Sequence, residues 1–117
     1  MKKKRRPPSL AQVERQYARW RRELAQVGYI SQGSVQDRTN RPGGGAGYQW
    51  TRKVAGKTVT VALTAEQFQE MKEAVNNRRR LAGILRQMER VSRRILFQTH
   101  PHPARRKRLN DKVLGLI

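Results

Sequence analysis

From Tyr48 to Leu63 bulky apolar side chains fall on every second position, Tyr48, Trp50 and Val54 before Ala55-Gly56 and Val59, Val61 and Leu63 after it, with Arg52 and Lys57 in the remaining places of that register. A period of two places successive side chains on opposite faces of an extended strand, so the pattern predicts a β-hairpin of two seven-residue strands, Tyr48–Val54 and Lys57–Leu63. If Ala55 and Gly56 form a two-residue turn, Trp50 faces Val61, Tyr48 faces Leu63 and Arg52 faces Val59. One side of the hairpin is then apolar, and the other carries Gln49, Thr51, Lys53, Thr58 and Thr60. Ala-Gly is a weaker turn signal than Asn-Gly, and a slip of one residue would exchange the two faces.

Helical periodicity flanks this hairpin. Ser9 followed by Gln12 is a capping-box signal, and Leu10, Val13, Tyr17, Trp20, Leu24 and Val27 then recur at spacings of three and four, as one seam of an amphipathic helix. Gly28 reads as its C-terminal stop. Beyond a short connection through Tyr29 and Ile30, Gly33 to Arg41 reads as a weak strand. Pro42 to Gly47 is too glycine-rich for helix or strand; without a following Lys and Ser or Thr, and opening no helix, it is a turn rather than a phosphate loop. Thr64 with Gln67 repeats the capping-box spacing. It opens a second helix of about 33 residues, roughly 50 Å long. Its seam is Phe68, Met71, Val75, Leu81, Leu85, Met88, Val91 and Ile95. Asn76, Asn77, Arg78, Arg79 and Arg80 break that seam and Gly83 weakens the next turn, so a bend, a partner contact or a binding site is expected there.

These elements define an α+β fold: an N-terminal helix, a small antiparallel hairpin or three-stranded sheet, and a long C-terminal helix, with disordered basic ends. Residues 1–8 form a basic arm, 9–97 a single domain, and 98–117 a basic tail ending in the apolar piece Val113 to Ile117, available to dock on a partner. Two amphipathic helices are satisfied equally well by a homodimer or by antiparallel pairing within one chain.

Charge decides the function class. The 117 residues contain 27 Lys and Arg against 8 Asp and Glu, a formal net charge of +19. Such a chain attracts a polyanion, and the phosphates of RNA or DNA supply one, with counterion release driving a salt-sensitive association. The absence of Cys excludes disulfides and thiolate metal sites and fits a reducing cytoplasm. No apolar run reaches membrane-spanning length, and a polar helix follows Pro7-Pro8 where a signal peptide needs an apolar stretch, so the expected location is cytoplasmic, with the nucleoid or a ribonucleoprotein. No carboxylate pair, metal-ligand set or nucleophile–base arrangement stands out, so neither catalysis nor a cofactor is expected. His100 and His102 lack a nearby third ligand. Glu66, Glu70 and Glu73 sit where they favour the helix dipole.

Between Arg78 and Arg108 the only acid is Glu89. The residues expected to contact phosphate are Arg78, Arg79, Arg80, Arg86, Arg90, Arg93 and Arg94 on the second helix, and Arg52, Lys53 and Lys57 projecting from the hairpin. Arg105, Arg106, Lys107 and Arg108 add affinity from the tail. Among the aromatics, Tyr17, Trp20 and Trp50 fit apolar seams, which leaves Tyr48, beside the glycine loop, as the expected exposed platform for stacking a base.

The Gly33-Ser34-Val35 start, the segment Gly47-Tyr48-Gln49-Trp50-Thr51-Arg52-Lys53-Val54, the turn Gly56-Lys57-Thr58-Val59, and Glu66-Gln67 together resemble a small bacterial family of unknown function whose members often lie beside transposase genes. The resemblance covers about residues 10–97. Many members carry a Cys-containing segment where this chain has Asn40 to Gly47 without Cys, so no metal-dependent feature is carried over. The resemblance implies a mobile-element setting and supplies neither mechanism nor assigned residues. The expected function is a nucleic-acid-binding accessory protein of a mobile element or ribonucleoprotein, steadying a larger nuclease or transposase. A sequence-specific DNA-binding repressor and a non-catalytic protein-interaction adaptor are the competing classes.

Overall fold

A computed structural model describes residues 7–39, 47–104 and 106–117; the basic arm over 1–6, the glycine-rich loop over 40–46, and Arg105 lie outside the described residues. In chain order the elements are α1 (Leu10–Ala25), β1 (Ser34–Asp37), β2 (Tyr48–Val54), β3 (Lys57–Leu63), α2 (Ala65–Thr99) and α3 (Asp111–Leu114). The architecture is α+β, with a three-stranded antiparallel sheet in the order β1-β2-β3. Contacts divide the chain into two compact units. One comprises the residues up to Gln26 together with Gly83–Ile117, the other Val27–Ala82. Along α2 no side chain between Val75 and Ile84 is fully buried, so the apolar seam is interrupted at the polar stretch from Asn76 to Arg80. The stretch is nonetheless helical throughout.

In the unit Val27–Ala82, the hairpin register is the one its alternation predicts, with Tyr48 opposite Leu63, Trp50 opposite Val61 and Arg52 opposite Val59. Ala55 and Gly56 both take positive φ, 49° and 79°, the backbone signature of a type I′ turn. β1 pairs Val35 with Trp50 and Asp37 with Tyr48, and of its residues Val35 is the apolar one on the Trp50 face. The strand is shorter than the sequence suggests. It stops because the Asp37 carboxylate accepts from the backbone N–H of Thr39 at 3.0 Å and from its hydroxyl at 2.5 Å, a local turn that competes with continued pairing. α2 opens on the expected capping box, Thr64 N–H donating to Gln67 Oε1 at 2.9 Å and Gln67 N–H to Thr64 Oγ1 at 3.1 Å. Phe68, Ala74 and Val75 form the buried centre, and the Tyr48 ring packs on Phe68 with centroids 4.6 Å apart.

In the other unit, Ser9 and Gln12 close the expected box at the start of α1. The helix ends at Ala25, earlier than Gly28 suggests. Gly28 serves instead as a place of close approach: a Cβ there would lie 3.2 Å from Asn77 Nδ2. Val13, Ile84 and Val91 are the buried core. Ile84 rather than Leu85 faces inward on α2, Leu85 being 43% exposed.

The tail is not the uniformly disordered segment expected. Asn110 caps α3 by accepting from the Val113 N–H at 2.9 Å, and Gly115 closes it in the left-handed region at φ 73°. The turn is held to α2 by arginine: Arg94 donates to the Leu116 carbonyl from Nε at 3.1 Å and Nη2 at 2.9 Å, and Arg93 to the Gly115 carbonyl at 3.2 Å. Leu114 and Leu116 are half-buried while Val113 and Ile117 remain exposed. The apolar piece expected to seek a partner is therefore docked in part on its own chain.

Candidate nucleic-acid interface

Basic side chains at the surface differ in what else they do, and that difference sorts the candidate residues. In the unit Val27–Ala82, Arg52 is half-buried on the apolar face of the sheet, its guanidinium 4.5 Å from the centroid of Trp50. Trp50 is itself fixed, donating Nε1–H to the Gln32 carbonyl at 3.0 Å. Arg52 thus belongs to a cation–π stack. Lys53 lies on the opposite face with Gln49, Thr51, Thr58 and Thr60, and Lys57 at the turn; both are exposed. Arg78, Arg79 and Arg80 are exposed on α2, and Arg80 is engaged in an interaction of its own. No acid among the described residues pairs with Arg78 or Arg79.

Tyr48 is not an exposed platform. Its ring is half-buried against Phe68, so it is part of the small core. The aromatic that is exposed is Tyr29, 92% accessible. It falls in the short connection after α1 and outside every apolar seam, which was its only sequence signal.

In the unit containing Gly83–Ile117, Arg86 is exposed and has no acid partner among the described residues. Arg90 is half-buried, with its Nε shielded from solvent and without a hydrogen-bond partner. Arg93 and Arg94, both expected to grip phosphate, are committed to the Gly115 and Leu116 carbonyls, and Arg93 also lies 3.7 Å from Glu89. Arg106 sits 5.7 Å from the Phe97 ring centroid and contacts His102 Nδ1. Lys107 and Arg108 are exposed. With Arg94 and Arg106 they line a groove whose apolar walls include Val13, Phe97, Leu114 and Leu116. Arg105 lies outside the described residues.

The residues left available for an anion are therefore Lys53, Lys57, Arg78, Arg79, Arg86, Lys107 and Arg108, a subset of those read from the sequence. The Thr39 hydroxyl, and then the Thr39 N–H, hold the Asp37 carboxyl below the usual carboxylate range. Among the described residues no three His, Asp or Glu side chains gather to hold a metal ion, and no helix is long and apolar enough to cross a membrane. No family model, curated protein or solved structure matches this chain.

Proposed function

We propose that this protein is a nucleic-acid-binding accessory subunit that grips RNA or DNA through the phosphate backbone and has no catalysis of its own. The observation that carries this reading is the set of exposed arginines, Arg78, Arg79 and Arg86, without acidic partners among the described residues on a chain of net charge +19. Unpaired surface charge of one sign costs stability through self-repulsion, and a bound polyanion relieves that cost. Arginine suits the task because its planar fork bonds phosphate in two places. The resemblance of residues 10–97 to a family found beside transposase genes favours a mobile-element setting, with a larger nuclease, transposase or ribonucleoprotein as partner and a location with the nucleoid or that particle.

Fluorescence anisotropy against labelled single-stranded RNA, duplex RNA and duplex DNA of equal length tests the reading. Binding to at least one at near-physiological salt supports it. Failure on all three at low salt would refute it. Selection from random duplexes that returned one palindromic motif would replace it with a repressor.

A further inference from the structure

We infer that β3 is a self-association edge: two copies of this chain pair their β3 strands antiparallel and join two three-stranded sheets into one. In a two-residue hairpin the closing pair is hydrogen-bonded, here Val54 with Lys57, and bonding alternates from there along the ladder. Lys57, Val59, Val61 and Leu63 therefore turn their backbone groups to β2, and Thr58, Thr60 and Ala62 turn theirs outward. Among the described residues nothing takes up these outward N–H and C=O groups, and Thr58, Thr60 and Ala62 are all exposed. The two edges of the sheet are unlike. β1 is four residues long and is ended by the Asp37–Thr39 turn, which blunts that edge. β3 is seven residues long, and from Thr58 to Leu63 it carries no charge, proline or bulge. Such an edge is a template for another strand.

The strand that fits is a second copy, because β3 is complementary to itself. A two-fold axis through Thr60 sets Thr60 opposite Thr60 of the second copy, Thr58 opposite Ala62, Val59 opposite Val61 and Lys57 opposite Leu63. This register uses all the outward-facing residues, each opposed pair exchanging two backbone hydrogen bonds. It also packs valine on valine across the seam on the apolar face, where Val61 is 38% exposed. The two Lys57 side chains fall at opposite ends of the pair, about 20 Å apart at the strand rise and well beyond the screening length of ~8 Å at physiological salt. The only charge on β3 therefore does not oppose the pairing. Because each copy carries +19, association should strengthen as salt is raised, the opposite sign to phosphate binding.

Light scattering on size-exclusion fractions of nucleic-acid-free protein, at near-physiological and higher salt, tests the inference. The wild-type mass is expected to approach twice the 13.6 kDa of one chain as protein concentration rises. Thr60→Pro removes the outward N–H at the centre of the pairing and leaves the β2–β3 ladder its bonds, and Thr60→Lys sets like charges directly opposite. Each should give the mass of one chain with an unchanged circular-dichroism spectrum. An equimolar mixture of Thr60→Lys and Thr60→Glu chains should recover the doubled mass, which misfolded variants would not do. A wild-type mass of one chain at every concentration overturns the inference. So does a dimer that Thr60→Pro and Thr60→Lys leave intact, since the contact then lies elsewhere. Either result leaves the nucleic-acid reading standing.

Discussion

Ala55 holds a φ of 49°, a conformation in which its Cβ crowds the following carbonyl and which Asn adopts more readily. Ala55→Asn is therefore expected to stabilise the protein by about 0.5–1 kcal/mol, read as a shift in denaturant midpoint at constant slope. Gly33 presents the opposite case. Its φ is 109°, and a Cβ would meet Trp50 Nε1 at 2.5 Å and the Thr51 carbonyl at 2.6 Å. Gly33→Ala should cost about 2 kcal/mol or more, combining backbone strain with loss of the Trp50–Gln32 bond. The Asp37 turn makes a prediction with a definite sign. Because hydrogen bonding lowers the folded-state pKa, its stabilisation is present above the ordinary carboxylate pKa and is lost as pH falls through the lowered value. In an NMR titration of the Asp37 carboxyl, Thr39→Ala should move the midpoint upward; an unmoved midpoint would mean that Thr39 is not the cause.

At the scale of elements, much of the fold was legible because local signals agreed. Period-two alternation and a two-residue interruption specified the hairpin register, and both capping boxes closed as their spacing predicts. Legibility failed where tertiary contacts decide. Ile84 and Leu85 are adjacent apolar residues, and only packing chose Ile84 for the core. The tail carries a basic run that reads as repulsive and unstructured. Yet the carbonyls of Gly115 and Leu116 satisfy Arg93 and Arg94, which lie more than twenty positions earlier and carry no sequence sign of the pairing. Arg94→Ala should thus release this element: hydrogen exchange at the Leu116 amide, which bonds the Asp111 carbonyl at 2.9 Å, is expected to accelerate at least about tenfold. Nucleic-acid affinity should change little, because Arg94 is occupied within its own chain. Large loss of binding with unaltered exchange would restore Arg94 to the phosphate-binding set.

For the whole molecule, net charge points to the kind of ligand proposed above but not to the residues that would meet it. Composition treats every arginine alike. The fold distinguishes Arg52 stacked on Trp50, and Arg93 and Arg94 bonded to carbonyls, from Arg78, Arg79 and Arg86, which no acid among the described residues engages. The most direct test of that distinction is the salt dependence of nucleic-acid affinity for wild-type protein and for the variant Arg78→Ala/Arg79→Ala/Arg86→Ala. Each phosphate contact contributes roughly 0.7 to 0.9 to the slope of log K against log salt concentration, so the variant's slope should be shallower by about 2 to 3, with weaker binding at every salt concentration. An unchanged slope and affinity would contradict the account and place the interface elsewhere on the chain.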